Sequence, residues 1–268
     1  MVTATSFEAI ANHLYGDLTE IGHNLDFTRT AYKIFSRSGE FLSLAAASPS
    51  HRQLLEEFKQ QRIEDLNSLY QGLFIQLYAS FEWFFRALIG VYVDELCRLF
   101  PQYDVLDKRK GQPLACNFYH TGMALQQIFD NRSNTKLDFH QLARNIGTAV
   151  PGSTAVTLNS MAFTLFLGIL DASAITRALK RIGIQESFWD DIGRDREVQR
   201  FFGENRTRHT AKAAREFVDV FITRRNNIAH RGDAIEPIND VDISRAAAFL
   251  KLFVGCLTRI LSTHCQTG

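Results

Sequence analysis

Proline and cysteine are scarce in this chain of 268 residues, which has five prolines and four cysteines. Few prolines leave long stretches in which a helix can run uninterrupted. No linker rich in serine, glycine or charge separates two halves of the chain, and no strand-like alternation of polar and apolar residues persists. We therefore expect an all-α fold in which residues 1–268 form a single compact helical-bundle domain.

The cysteines are too scattered to suggest a metal centre or a disulfide framework. They include no C-x-x-C pair, so we expect reduced thiols at Cys97, Cys116, Cys256 and Cys265. The chain also lacks a Walker-type loop and a carboxylate cluster that could hold Mg²⁺. We expect neither a metal nor another cofactor.

Signals for membrane insertion or export are missing as well. No run of 18 apolar residues occurs, and the N-terminus has no basic region that leads into an apolar block. We expect a cytoplasmic protein that does not associate with a membrane.

Excess charge of one sign is also small, because the formal net charge is only +1. Such a balance argues against a protein that coats nucleic acid nonspecifically. Between Arg194 and Arg231, however, ten lysines and arginines face five acidic residues. This local excess fits either a localised site for a phosphodiester or the solvated basic face of a surface helix.

Apolar residues at helical spacing are present in most of the chain. Ser6–Thr28 has the pattern of an amphipathic helix, which either packs on the core or docks a partner. A second pattern extends from Leu54 almost to Leu99. A continuous helix of that length would exceed what one domain needs, so we expect Gly72 or Gly90 to break or bend it.

The middle of the chain is less regular. Pro101–Thr135 has the composition of a loop, with a short helix at Asn117–Phe129, and Lys108–Lys110 has the pattern of a solvated loop or, alternatively, of an RNA contact. Thr157–Leu170 is very apolar and therefore expected at the centre, and Phe188–Phe202 continues helically.

The most unusual stretch is Thr223–Gly232, where arginine, asparagine and histidine crowd into about two helical turns. The preceding residues, Ala211–Ile222, carry an apolar stripe at spacings of three and four, and Gly232 suits the left-handed position just past a helix end. The stretch therefore lies near the C-terminal end of a long amphipathic helix. On that helix Arg225 lies at the edge of the apolar stripe and about 140° from His230.

These residues resemble a known family. The run Arg225-Asn226-Asn227-Ile228-Ala229-His230 matches the R-N-x-x-x-H form of the R-x4-6-H signature of the HEPN superfamily, and Val241–Leu261 has the pattern of the last helix that follows this signature. Leu77–Phe84 is similar to the early "ayasLE" helix of the RiboL-PSP-like branch, and Leu158–Ile184 also resembles that branch.

The resemblance implies an HEPN-like core in residues 51–268 with an N-terminal helical extension in residues 1–50. It also implies a metal-independent endoribonuclease that acts as a homodimer. Cleavage through the 2′-OH of RNA needs a base, an acid and positive charge at the phosphate. One chain supplies one histidine to the motif, whereas a two-fold dimer supplies two histidines and two arginines to one cleft.

Each residue of the motif receives an expected role by that route. His230 is the general base or acid, Arg225 binds the phosphate and the transition state, and Asn226 holds His230 or the substrate. Arg224 and Arg231 are expected to give supporting phosphate contacts. Glu82, among aromatic residues, either orients Arg225 or Asn226 or forms a salt bridge with a nearby arginine.

Two functions from different classes follow. The first is an RNA-cleaving toxin or antiviral-defence effector, restrained by a partner such as an antitoxin or a sensor protein. The second is a non-catalytic HEPN scaffold that binds RNA or a nucleotide, or that serves for dimerisation. The presence of Arg225, Asn226 and His230 together favours the first.

Overall fold

The computed structural model describes residues 4–36, 63–129, 138–165, 167–231 and 237–267. Within these ranges the chain forms nine α-helices and one short 3-10 helix, and no β-strand. The α-helices are α1 (Ala4–Ser36), α2 (Ile63–Leu99), α3 (Tyr103–Phe129), α4 (Phe139–Thr148), α5 (Ala172–Arg181), α6 (Phe188–Arg194), α7 (Arg196–Phe202), α8 (Thr207–Arg231) and α9 (Asp240–Gln266). The predicted all-α fold is confirmed.

The two N-terminal helices are long and amphipathic. The stripe predicted for α1 is buried along its length, from Phe7 through Leu14 to Leu25. Helix α2 has 37 residues, about 55 Å, and continues through Gly72 and Gly90, so a break at either glycine is wrong. A glycine inside a helix costs only about 1 kcal/mol, which the buried face of a long helix offsets. The expected start of this helix near Leu54 lies outside the described residues.

Helix α3 corrects the prediction of a loop with one short helix. Residues 103–129 are helical apart from a kink at Lys110, whose φ and ψ are −143° and 49°. Pro113 follows the kink by three residues, in the first turn of the second segment, where a missing N–H costs nothing. Lys110 is not solvated but buried, and its Nζ donates a hydrogen bond of 2.9 Å to the carbonyl of His264 near the end of α9.

Buried asparagines hold the segment between α4 and α5. The backbone N–H of Asn159 donates to Asn117 Oδ1 at 2.8 Å, and the Asn145 amide donates to Asn159 Oδ1 at 2.8 Å. These bonds satisfy polar groups that burial has removed from water. The segment forms a 3-10 helix at Ser160–Phe163 and is central, as its apolar composition predicts.

Residues 188–202 are helical, as expected, but divided into α6 and α7 by Asp195. The Asp195 carboxylate accepts from the backbone N–H groups of Glu197 and Val198 and thereby caps α7. Gly193 in α6 faces the start of α8, where an added Cβ would lie 2.3 Å from the carbonyl oxygen of Thr207. Only glycine permits that close approach.

The chain divides into two compact units, and long helices contribute to both. The large unit contains Met1–His13, Glu82–Ile222 and Leu252–Gly268, and the small unit contains Leu14–Phe81 and Thr223–Lys251. Fully buried aromatic side chains form the core of the large unit, among them Phe84, Phe85, Tyr92, Phe163 and Phe253. The single-domain organisation stays a prediction.

Among the described helices, α9 is long and apolar enough to cross a membrane by length and composition alone. Its apolar residues include Ile243, Phe249, Phe253 and Leu257, all of which are buried. The core helix of a soluble protein passes the same test of length and composition.

Candidate active site

The motif lies where the sequence predicts it, in the last turns of α8 and within the small unit. Ala214, Val218 and Phe221 of the same helix are buried, which fixes the orientation of the helix about its axis. The predicted helix end at Gly232 and the side chain of Arg231 lie outside the described residues. Arg225, Asn226 and His230 can therefore be placed, and the supporting role of Arg231 stays a prediction.

Arg225 is half-buried and contacts both Tyr78 and Asn226. Its guanidinium carbon lies 4.6 Å from the ring centroid of Tyr78, a buried residue of α2. Its Nη1 donates a hydrogen bond of 3.1 Å to Asn226 Oδ1. Its Nε is buried, and no described residue accepts a hydrogen bond from it. A buried donor without an acceptor is costly, which makes it a feature that needs an explanation.

Asn226 contacts Arg225 through its side-chain oxygen, and this contact was not anticipated from the sequence. The expected contact between Asn226 and His230 or substrate stays a prediction. Asn226 and His230 are four positions apart and share one face of α8. Asn226 is thus placed between the arginine and the histidine along the helix.

His230 is exposed in the last turn of α8. No described residue forms a hydrogen bond or an ion pair with its ring. The angle of about 140° between Arg225 and His230 around a straight helix leaves the two side chains on different faces. One chain therefore brings Arg225 and Asn226 together and leaves His230 accessible from solvent.

Arg224 forms a salt bridge at the start of α9. Its Nη1 lies 2.6 Å from Asp242 Oδ1, and both side chains are partly exposed. Asp242 and Asn239 also cap α9 reciprocally, since each side chain accepts the backbone N–H of the other at 3.2 and 3.0 Å. Arg224 therefore ties the end of α8 to the start of α9, and its predicted phosphate contact would compete with this salt bridge.

Comparison with known protein families shows the superfamily to which the chain belongs. The model of the family described as HEPN_MAE_28990-like HEPN matches residues 41–258. This chain belongs to the HEPN superfamily. The matching model carries a different family description from the RiboL-PSP-like branch, so that branch stays a prediction. No curated protein and no solved structure matches the chain.

Membership of the HEPN superfamily supports a role either in RNA cleavage or in nucleotide binding.

The described residues contain no group of three or more His, Cys, Asp or Glu side chains that could hold a metal ion. All four cysteines are free thiols, and burial raises the pKa of Cys97 to about 11. The Cys97 thiol is therefore protonated and weakly reactive at neutral pH.

Glu82 belongs to the large unit and forms the salt bridge that was one of its two predicted roles. Its Oε1 accepts from Arg86 Nη2 at 2.7 Å, and Arg86 Nη1 also donates to the carbonyl of Thr164 at 2.6 Å. Glu82 thereby anchors an arginine that ties α2 to the segment before α5. An orienting role toward Arg225 or Asn226 stays a prediction.

A surface cleft of about 650 Å³ in the large unit contains some of the lysines and arginines that lie between Arg194 and Arg231. Arg215 and Lys212 line the cleft, but they pair with Glu186 at 3.2 Å and with Glu216 at 3.6 Å. These cations belong to a solvated surface whose charges are balanced. The motif in the small unit is therefore the better candidate for phosphate contact.

Sequence reasoning missed Tyr78 and Asp242 as partners of the motif arginines. Tyr78 occupies a position in the "ayasLE"-like helix, and an aromatic residue at helical spacing is usually assigned to the core. No spacing rule links positions on two helices that are far apart in the sequence. Only the tertiary packing shows that Tyr78 lies beneath Arg225.

Proposed function

We propose that this HEPN protein is a metal-independent endoribonuclease with an active site composed of Arg225, Asn226 and His230. The observation that best supports this proposal is the environment of Arg225, which contacts Tyr78 and Asn226. Its Nε is buried and forms no hydrogen bond with any described residue. A fixed cation costs no reorganisation when negative charge develops in a transition state. Its planar fork also matches phosphate oxygens.

The proposed reaction uses the nucleophile that RNA itself carries. The 2′-oxygen attacks the adjacent phosphorus while a base removes the 2′-OH proton, and the bond between phosphorus and the 5′-oxygen breaks as an acid protonates that oxygen. The products are a 2′,3′-cyclic phosphate and a 5′-OH. His230 is assigned a proton-transfer role, and Arg225 is assigned the charge on the nonbridging oxygens.

A homodimer through the motif helices completes the proposed site. The two proton transfers need two groups, and each chain contributes one histidine to the motif. The separation of about 140° between Arg225 and His230 on one helix is less restrictive when two helices border one cleft. The exposure of His230 supports the proposal, because its ring is accessible to a second chain.

The proposed setting is the cytoplasm, where the enzyme would act as a toxin or as an antiviral-defence effector. An unrestrained ribonuclease would damage its host, so we also propose an antitoxin or a sensor protein that holds it inactive.

A second candidate is a non-catalytic HEPN scaffold that binds RNA or a nucleotide. The observation that favours it is the salt bridge of Arg224 with Asp242, which would compete with one of the predicted phosphate contacts. Such a scaffold would bind RNA without cleaving it, and replacing His230 would leave its function intact.

The deciding experiment measures RNA cleavage by the purified protein in EDTA. We expect the wild type to cleave RNA and His230→Ala to be inactive with an unchanged melting temperature, because His230 is exposed. His209→Ala is the matched control, since His209 is another exposed histidine on α8 that lies near Glu204 at 3.7 Å. RNA binding without cleavage by the wild type would favour the scaffold.

A further inference from the structure

The ring beneath Arg225 belongs to Tyr78, which is only 3% exposed, and both residues lie in the small unit. At 4.6 Å from guanidinium carbon to ring centroid, the separation is well within the range of a cation–π contact. A ring in this position covers one face of the guanidinium. Contact with a ligand is then limited to the other face and to the edges of the group.

The other contacts of Arg225 restrict the edges. Nε is buried, so this edge cannot reach a ligand without a change in packing. One N–H of Nη1 donates to Asn226 Oδ1 at 3.1 Å. The second N–H of Nη1 and both N–H groups of Nη2 then form the end of the fork that no described residue engages. Arginine normally has large rotamer freedom, and this combination removes most of it.

We propose that Tyr78 is a positioning residue that orients Arg225 toward the phosphate of bound RNA. This inference rests on the proposed function. An apolar residue of similar size could fill the same volume, but it would leave the guanidinium without an electrostatic partner on its buried face. The quadrupole of the ring attracts the cation while the charge remains available to the substrate.

The test compares Tyr78→Phe with Tyr78→Leu. Phenylalanine keeps the ring, so we expect the single-turnover cleavage rate to stay within about threefold of wild type. Leucine keeps an apolar side chain but removes the ring, and we expect the rate to fall about tenfold while RNA affinity changes by less than about threefold. Affinity is measured with RNA that carries 2′-O-methyl groups and cannot be cleaved by this route.

Two controls separate positioning from a merely structural role. Phe74→Leu changes another buried aromatic residue one turn earlier on α2, and we expect it to lower stability without lowering the rate of the folded enzyme. Arg225→Ala supplies the second control. In that background Tyr78→Leu should cause no further loss of rate, because the group that it positions is gone.

A signal that does not depend on activity reports the orientation directly. The Nε–H resonance of Arg225, identified by its loss in Arg225→Ala, should carry a ring-current shift and slow exchange in wild type and in Tyr78→Phe. Both properties should be lost in Tyr78→Leu. An unchanged resonance in Tyr78→Leu would overturn the inference, as would a rate loss no larger than that of Phe74→Leu.

The same measurements distinguish failure of the inference from failure of the proposed function. If the wild type does not cleave RNA, the ribonuclease proposal fails, and loss of the Nε–H signature in Tyr78→Leu would still support orientation of Arg225 by Tyr78. If the wild type cleaves RNA and the Leu variant keeps both the signature and the rate, the ribonuclease proposal survives and the positioning role is refuted.

Discussion

At the scale of single residues, the two motif arginines differ in environment although they are neighbours in sequence. Arg224 ends in a salt bridge with Asp242 at 2.6 Å, whereas Arg225 lies over Tyr78 with a buried Nε. The helical pattern predicts this difference only in part, because it places Arg225 at the edge of the apolar stripe. The partners come from α2 and α9, and a single sequence does not identify them.

Replacing Arg225 with lysine tests whether the guanidinium itself is needed. Lysine keeps the charge but not the fork, so Arg225→Lys should lose about a hundredfold in single-turnover rate, which corresponds to about 3 kcal/mol of transition-state stabilisation. RNA affinity should change far less, because the contact is strongest in the transition state.

Arg224→Lys is the matched control for that measurement. A lysine can keep an ion pair with Asp242, so the rate should fall less than tenfold. Equal losses for both variants would contradict the assignment of the transition-state role to Arg225 alone. No loss for either would leave the site without a demonstrated catalytic arginine.

At the scale of helices, the sequence predicts the existence of most elements better than their boundaries. The stripes of α1, α8 and α9 are long and regular, and these helices form where the periodicity places them. The prediction fails for α3 because a kink at Lys110 lets a glycine and a proline sit within one extended helical element. It fails for the glycines of α2 because a favourable buried face offsets a small loss of helix propensity.

Glycine substitutions measure which of these positions constrains packing. An added Cβ at Gly193 would lie 2.3 Å from the Thr207 carbonyl and 3.0 Å from the Ala211 nitrogen, both of which are backbone atoms that cannot rotate away. We expect Gly193→Ala to lower the free energy of unfolding by about 3 kcal/mol in a urea titration.

Gly90→Ala is the control for this substitution within the same unit. Its Cβ would meet no atom within 4 Å, and the position is inside α2. Alanine should therefore raise the free energy of unfolding by about 0.5–1 kcal/mol. Similar effects of the two substitutions would contradict the close packing assigned to Gly193.

At the scale of the whole molecule, two histidines in the large unit couple stability to pH. Burial, with a smaller effect of Arg181, lowers the pKa of His120 to about 4. Burial and the nearby Lys110 ammonium also lower the pKa of His264, whose Nδ1 lies 2.7 Å from the Tyr92 hydroxyl. Neither histidine was assigned a role from the sequence, since their burial follows from tertiary packing.

The direction of the pH effect follows from these lowered pKa values. The unfolded chain takes up protons on both histidines near pH 6.5, whereas the folded chain resists protonation until lower pH. Stability is therefore highest above about pH 6.5 and falls as the pH decreases toward about 4. The urea midpoint should decrease across this range, and His120→Asn should reduce the slope. A midpoint that rises on acidification in this window would contradict the assignment.

Mixed assemblies test whether the proposed active site needs two chains. If one cleft uses a histidine from each chain as base and acid, a dimer with one His230→Ala chain should be nearly inactive. After subunit exchange with a ninefold excess of the variant, only about one in ten wild-type chains has a wild-type partner under random pairing. Activity per wild-type chain should then fall about tenfold. The active variant His209→Ala, mixed in the same excess, should cause no such loss. Activity that simply follows the amount of wild-type chain in both mixtures would mean that each chain cleaves RNA with its own Arg225 and His230.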